Sequence, residues 1–374
     1  MAAEHPPGRT APSPLPAGVP AKRQSLVGLS ADAGSPMLAD RRRRLRLVAG
    51  LVGLSALLLF AGLAAGSDGW SAAELMRTLR GPDAALIIGQ IRAPRTLGAW
   101  LTGALLGLAG ATAQGLFRNP LADPYLLGSA SGASLGVVLV LAAAALVGHG
   151  VSLATADAIA RIGLVGAAFA GALLGVLLTL ALARGAQQTV RLLLAGVVVG
   201  VVLSAVGDLV TTAAPEALRG KQVFMLGSTG FLGWGSCAAL GLGLVACVPL
   251  SWRWSRALDA LTLGDDSARS LGLSLPRVRA VLVTALALAT GLAVSQAGLV
   301  AFVGLAAPHL VRRFAPAPHG FTTLASAAAG GTLLLAADVL ARSLIAPQEV
   351  PVGALTALIG GGYLLWLLHR RRVA

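Results

Sequence analysis

Apolar segments of about 20 residues recur along nearly the whole chain, and each is long enough to cross the hydrocarbon core of a bilayer as a helix. They lie at residues 45–66, 95–116, 124–147, 162–183, 190–212, 233–251, 279–297, 298–314, 321–342 and 350–369. Barrel strands would alternate polar and apolar residues, and no such pattern is present. The sequence predicts an all-α integral membrane protein with about ten transmembrane helices, the eighth of them short.

The composition agrees with this class. Charged residues make up 12% of the chain, against about 25% in soluble domains. The 48 glycines predict closely packed helices, because small residues let backbones approach in lipid. Cys237 and Cys247 lie in one apolar segment and are interpreted as small core residues, with no disulfide or metal site predicted.

Residues 1–44 hold many prolines and few large apolar residues before Leu45. They predict a disordered, basic N-terminal tail, followed by a transmembrane domain at residues 45–374. Nothing before Leu45 has the apolar core of a cleaved signal peptide. The arginines at positions 41–44 directly precede the first span, as expected for a cytosolic anchor.

Basic residues fix the expected orientation. With the N-terminus in the cytosol and an even number of spans, most of the 29 lysines and arginines fall in cytosolic segments, as the positive-inside rule requires. Both termini are therefore predicted to be cytoplasmic. The net charge of +14 is interpreted as topology and not as a nucleic-acid surface.

Two connections stand out. Residues 213–233 predict a short helix at the outer surface. Residues 251–279 form a charged island between two spans, in which Gly272 ends one short helix and Pro276 permits the next to start. Connections between helices usually run about 2 to 8 residues. We therefore expect a two-helix loop, at about residues 255–278, to be held by a cytosolic partner, the alternative being a solvated loop.

Several motifs resemble those of the permease subunits of type II ABC importers, the bacterial family for iron chelates, haem and cobalamin. The resemblance covers the chain from Leu45 onward. The motifs, in chain order, are RAPR (92–95), GLAGATAQGLFRNPLADPYLLGSASGAS (107–134), RLLLAGVVVG (191–200), LGDDSARSLGLS (263–274), GLVAFVGLAAPHLVRR (298–313) and AADVLARSLIAPQEVPVGALTALIGGGYLLWLL (336–368).

This resemblance implies a homodimer in the bacterial inner membrane, with a path between the protomers. Its implied partners are two cytosolic ATPase subunits, which hold ATP and Mg²⁺, and a periplasmic binding protein. The chain itself is expected to be non-catalytic and to bind no cofactor, and it has no Gly-rich loop ending in Lys-Ser or Lys-Thr for ATP. Expected cargoes are haem first, then ferric siderophore, then cobalamin. The N-terminal tail departs from the family pattern, as does Gly361-Gly362-Tyr363 in place of Gly-Ala-Pro, which predicts a less kinked last helix.

The resemblance also assigns residues. Those implied to sit in a cleft of the ATPase are Leu263, Gly264, Asp265, Asp266, Ala268, Arg269, Leu271 and Gly272. Arg92, Arg95 and Arg342, at outer helix ends, are implied to pair with glutamates of the binding protein, since guanidinium groups grip carboxylates in bidentate fashion. Snorkelling to lipid headgroups would explain any one of them equally well.

Polar residues near span ends are interpreted as structural breaks, because they satisfy backbone groups that a broken helix frees. They are Gln114, Asn119, Pro120, Pro308 and His309. His309 could hold haem iron, but its place beside cytosolic arginines argues against that role.

Two acids lie well inside spans. Asp338 is one turn before Arg342 and is expected to pair with it. By the resemblance, span five lines the path, so Ser204, Asp208 and Thr211 are path candidates. An ion-gradient-driven secondary transporter remains the alternative from another class, and it would need such midplane acids. An intramembrane enzyme is less supported, as no catalytic motif is present.

Overall fold

The computed structural model describes residues 34–66, 69–70, 72–147, 153–183 and 189–371. The chain divides into two compact units, Met1–Arg42 and Arg43–Ala374. Described helices are α1 (Gly34–Ala64), α2 (Ala72–Arg80), α3 (Ala84–Leu86), α4 (Ala93–Phe117), α5 (Ser129–Val147), α6 (Leu153–Leu182), α7 (Thr189–Ala213), α8 (Glu216–Leu226), α9 (Trp234–Arg253), α10 (Ser255–Thr262), α11 (Asp265–Ser270), α12 (Leu275–Ala297), α13 (Val303–Phe314), α14 (His319–Ser343) and α15 (Val352–Arg371). A π-helical turn at Ile87–Arg92 joins α3 to α4, and a 3-10 turn at Pro124–Leu127 precedes α5. Two-residue strands, β1 (Ala65–Gly66) and β2 (Gly69–Trp70), pair antiparallel.

The predicted all-α membrane class is confirmed. Every one of the predicted apolar segments contains a helix. Within the described ranges, seven helices are long and apolar enough to cross a bilayer, namely those at Ala39–Ala64, Ala84–Phe117, Gly163–Leu182, Val190–Ala213, Trp234–Arg253, Leu275–Ala297 and His319–Ser343. Shorter apolar helices occupy Ser129–Ala145 and Val352–Trp366, and α13 is the short eighth helix.

Three boundaries differ from the predictions. Helix α1 begins at Gly34, inside the predicted tail, because the arginine run is a good helix former. The rest of that tail, residues 1–33, lies outside the described residues. The eighth segment is helical only from Val303, after extended residues and Phe302 at φ 66°. The second span is helical back to Ala84, with a π turn ahead of Pro94, whose missing N–H disturbs the hydrogen-bond ladder.

Helix α4 lies at the centre of the packing, since 89% of its most apolar window is buried. Its glycines contact neighbouring backbones: a Cβ on Gly110 would lie 1.7 Å from the carbonyl oxygen of Gly304 in α13. A Cβ on Gly107 would lie 2.0 Å from the carbonyl oxygen of Ser326 in α14. The predicted close helix packing is therefore present where the glycines of α4 fall.

The predicted short helix between spans five and six is α8. Its C-terminal end is bound to the segment that precedes α13, because Leu299 N donates to Phe224 O at 3.0 Å. Helix α9 carries both cysteines, buried and not joined in a disulfide, as predicted. The Cys237 thiol lies 3.1 Å from the Pro94 carbonyl, which ties α9 to the start of α4.

Candidate functional site

The charged island folds as the predicted pair of short helices, α10 and α11. Gly264 (φ 104°) separates them and Gly272 (φ 81°) ends α11, both in backbone conformations that favour glycine. Pro276 lies in the first turn of α12, where a missing N–H costs nothing. These corners fix the direction of each helix.

The island has an inner and an outer face. Ala268 and Leu261 are buried against the C-terminal end of α4 and the N-terminal end of α12. Leu263 and Leu271 are exposed, although both are large and apolar. Exposed apolar residues beside charged ones are typical of an interaction surface. The outer face also carries the Asp266–Arg269 ion pair, at 2.7 Å.

Polar tethers join this element to three spans. Asp265 accepts a hydrogen bond from Arg279 of α12 at 2.7 Å and lies 3.4 Å from Arg118 at the end of α4. The carboxylate of Asp259 on α10 meets both the backbone N–H and the ring Nδ1 of His319, at 3.0 and 2.7 Å. His319 begins α14, so this carboxylate also lies where the helix dipole favours negative charge.

Only part of the predicted coupling set is therefore available to a partner. Asp265 and Ala268 face the bundle, whereas Leu263, Asp266, Arg269 and Leu271 face outward. Sequence reasoning missed Asp259, Arg118, Arg279 and His319 as tethers. They are 14 (Arg279 and Asp265) to 147 residues (Arg118 and Asp265) from their partners along the chain, and no local spacing pairs them.

A second cluster lies at the N-terminal end of α4 and the C-terminal end of α14, around the buried carboxylate of Asp338. This group pairs with Arg342, as predicted. It also accepts from Arg95 Nε and Nη2 at 3.2 Å and from Thr229 at 2.5 Å. Arg95 reaches Glu349 as well, with bidentate bonds of 2.7 and 2.9 Å. Two arginines thus balance two carboxylates.

Two of the three arginines predicted to dock the binding protein are buried in this structure, while their docking role stays a prediction. The Arg342 side chain is 3% exposed and donates to Gly62 O at 3.0 Å. Arg92 is buried and donates to Leu63 O at 3.1 Å. Both guanidinium groups bind backbone carbonyls at the end of α1, because buried donors must be satisfied. Arg95 is the one of the three whose carboxylate partner, Glu349, is exposed.

Glu349 lies outside the membrane-spanning segments, in the connection between α14 and α15. The hydrogen bonds from Arg95 hold the pKa of its carboxyl below the ordinary value of 4.5. Glu349 is therefore an anionic group bound to the Arg95 guanidinium. The sequence had not indicated this residue.

The three path candidates on α7 lie in different surroundings. Ser204 and Asp208 line an open groove of about 630 Å³ between α7 and the segment that leads into α5. Ser204 lies 3.1 Å from Ser131, and Asp208 forms an ion pair with Lys221 of α8. Thr211 is buried and donates to Asp208 O. The Thr211 hydroxyl is therefore satisfied within its own helix, and its assignment to the path stays a prediction.

Asp123, which the sequence did not suggest, also lines this groove. Burial raises the pKa of its carboxyl, while a hydrogen bond from Tyr125 N at 2.8 Å lowers it.

The residues predicted to stand at helix breaks contact other parts of the protein or belong to a helix. Gln114 is buried, donates to Leu305 O at 3.2 Å and accepts from Arg312, so it links α4 to α13. Asn119 caps the turn at Pro120 by accepting from Leu121 N at 2.9 Å. Pro308 lies inside α13, and His309 packs edge-on against Tyr363 at 5.7 Å between ring centroids.

A model of the FecCD transport family matches residues 54–370, which include the two-helix element, the cluster around Asp338 and α7. The chain belongs to the FecCD transport family. It is a permease subunit of a type II ABC importer, a class of membrane protein whose ATPase activity resides in a separate subunit.

Characterised relatives of this FecCD permease differ in cargo. The hemin transport system permease protein HmuU of Yersinia pestis is 39% identical over 285 residues, covering 75% of the chain and 83% of the relative. The vitamin B12 import system permease protein BtuC of Citrobacter koseri is 38% identical over 338 residues, covering 89% and 97%. A solved structure of a metal-chelate type ABC transporter in an inward-facing conformation is similar with a TM-score of 0.74 and 25% identity, covering 87% of this chain and 99% of that chain.

Proposed function

We propose that this permease imports haem or another iron chelate from periplasm to cytoplasm as a homodimer with both termini in the cytoplasm. Two ATPase subunits would bind the α10–α11 element, and a periplasmic binding protein would deliver the cargo. Family membership supports the subunit types. The observation that carries the mechanism is the α10–α11 element itself, which is exposed on one face and tethered to three spans on the other.

The two faces have different tasks. Leu263, Leu271 and the Asp266–Arg269 pair form the surface that an ATPase cleft would hold. A displacement of that surface passes to α12 and α4 through Asp265 and to α14 through Asp259. A loop without these bonds would absorb the displacement by bending. The bonds to three spans let the element move them together.

The path is proposed to run along α7. Its exposed face is apolar and branched, with Val197, Val201 and Leu209 open to the surroundings, and a second copy of the chain would supply the opposing wall. Such a wall binds a bulky macrocycle without strong polar contacts, so the cargo can leave. Ser204 and Asp208 would add polar contacts along it.

Cobalamin is a specific second candidate, because BtuC relatives match nearly their whole length at an identity close to that of the hemin relative. Haem is proposed first, a ferric siderophore second and cobalamin third. The secondary-transporter alternative is less supported. It requires an acid free to exchange protons or sodium, whereas Asp208 pairs with Lys221 and Asp338 with two arginines.

The test is reconstitution of the permease with its ATPase and carrier in proteoliposomes. ATP-dependent uptake of haem, a ferric siderophore and cobalamin is then measured side by side. Haem uptake that requires ATP and the carrier supports the proposal. If cobalamin is the one cargo of the three that is taken up, cobalamin replaces haem as the proposed cargo. Transport by the permease alone, driven by a proton gradient, contradicts it.

The coupling surface has its own variant, Asp266→Ala with Arg269→Ala. Both side chains are exposed, so the fold is retained, and stimulation of the ATPase by loaded carrier is expected to fall together with uptake. Arg191→Gln, an exposed arginine at the start of α7, is the control. Equal stimulation in the coupling variant and the control would contradict the coupling role.

A further inference from the structure

A groove of about 440 Å³ lies between the first turns of the membrane-spanning part of α1 and the C-terminal end of α13. Arg43 and Arg46 line one end. Leu47, Leu51 and Leu54 continue along the same side of α1, and Phe314 lines the groove from α13. The groove therefore changes from cationic to apolar in the direction that leads into the bilayer.

The charges at the cationic end of the groove are those of Arg43 and Arg46. Within the part of the chain that the structure describes, neither Arg43 nor Arg46 forms an ion pair or a side-chain hydrogen bond, and both are exposed. No carboxylate lines the groove. An anion placed between the two guanidinium groups would meet no carboxylate among the residues that line the groove.

The apolar end is equally uncovered. Only 11% of the most apolar window of α1 is buried, and Leu54 and Phe314 are exposed. Leu47 and Leu51 pack against the core of α13 and α14, so the wall of the groove is fixed. Gly50 forms part of its floor, and a Cβ there would meet no atom within 4 Å.

We propose that this groove binds one anionic phospholipid of the leaflet at this end of the span. The phosphate lies between Arg43 and Arg46, and an acyl chain lies over Gly50 toward Leu54. Basic pockets between membrane helices on the cytoplasmic side bind acidic headgroups in this way. Charge complementarity selects the headgroup, and the apolar wall distinguishes a lipid from free phosphate. The bound lipid would attach α1 to α13, where protein contacts are few.

The test is native mass spectrometry of the full chain with phosphatidylglycerol, with phosphatidylcholine of the same acyl chains, and with inorganic phosphate. One phosphatidylglycerol is expected to remain bound, in preference to the other two probes. Arg43→Gln with Arg46→Gln should weaken its binding by about fivefold for each charge removed. Arg191→Gln with Arg253→Gln removes the same charge from exposed positions at other helix ends and should leave binding unchanged.

A second pair of variants keeps the charge and changes the space. Gly50→Leu fills the groove and suits a helix, whereas Gly53→Leu adds the same side chain at a position that does not line it, also with nothing within 4 Å of its Cβ. Loss of lipid in the first variant only supports the proposal. It is overturned by equal binding in the two glycine variants or by equal binding of phosphatidylcholine. It is also overturned by a smaller share of dimer in Gly50→Leu without loss of lipid, which would make a second copy the occupant.

Discussion

The carboxylate of Asp265 accepts a 2.7 Å hydrogen bond from Arg279 across the Gly272 turn, which joins the first residue of α11 to α12. The Arg279 side chain is only 3% exposed. A short helix on the surface is therefore held by a buried cation. This bond sets the position of the coupling surface relative to the spans.

Asp265→Asn is expected to destabilise the protein by about 1–3 kcal/mol, because a buried charged donor loses its charged acceptor. ATP-driven uptake in proteoliposomes should fall as well, since the displacement no longer reaches α12. Thermal unfolding in detergent measures the first effect. Asp266→Asn is the matched control for stability: that side chain is 97% exposed, so the stability of this variant should be nearly unchanged. An equal loss of stability in the two variants would contradict the tether.

Asp338→Ala should be more damaging, at about 3–5 kcal/mol, because it leaves buried Arg342 and largely buried Arg95 without their shared carboxylate. Loss of folded protein in size-exclusion chromatography and a lowered unfolding temperature measure the effect. Arg342→Met with Asp338→Leu removes both charges at once and should recover part of the loss. A double variant less stable than Asp338→Ala would contradict this account.

Glu349 predicts a pH dependence. Its folded pKa is lower than the ordinary 4.5, so its bonds to Arg95 stabilise the fold above pH 4.5, and this stability is lost as the pH falls through the lower folded value. The unfolding temperature of the wild type should decline below pH 4.5 more steeply than that of Glu349→Gln. Parallel curves for the two proteins would show that the pair contributes nothing.

The same glutamate should regulate carrier docking. If a carboxylate of the binding protein uses Arg95, it must displace Glu349, so Glu349→Gln is expected to strengthen docking severalfold and Arg95→Gln to weaken it. Surface plasmon resonance at two salt concentrations measures both, with the larger effect at low salt because exposed charges are screened. Unchanged affinity in both variants would remove Arg95 from the docking surface.

Gly110→Ala tests the packing of α4. The added carbon would lie 1.7 Å from Gly304 O, so α13 must shift, and a cost of about 1–3 kcal/mol is expected. Gly163→Ala, on the exposed side of α6 with no atom within 4 Å of its Cβ, should be neutral or stabilising. The unfolding temperatures of the two variants are compared. Equal values would contradict the close approach of the backbones of α4 and α13.

Residue patterns predicted the helices well because hydrophobic length is a local property. They also predicted the Asp338–Arg342 pair, whose members are one turn apart. Arg95 could not be added to that pair, since it is 243 residues from Asp338 and only tertiary packing joins them. The burial of Arg342 was missed for the same reason. Its position at a helix end was visible in the sequence, but the carbonyl of Gly62, 280 residues away along the chain, to which it donates a hydrogen bond, was not.

Helix α2 was missed although Leu75, Met76 and Leu79 recur at helical spacing, because it is far too short to be a span. Thr211 was assigned to the path by the resemblance, which implies that span five lines it. Its burial could not be predicted, because the face that a helix turns outward depends on its neighbours. In the α10–α11 element, the turn glycines were visible in the sequence, whereas the tethers to α4, α12 and α14 were not.

The contrast between α1 and α4 bears on biogenesis. Helix α1 is the more hydrophobic span and is hardly covered by protein, whereas α4 carries glycine, threonine and glutamine and is almost wholly enclosed. A translocon that selects segments by hydrophobicity accepts the first without help. The enclosed span is a weaker insertion signal, so the segment that contributes least to the finished core is the one best able to lead the nascent polypeptide into the lipid.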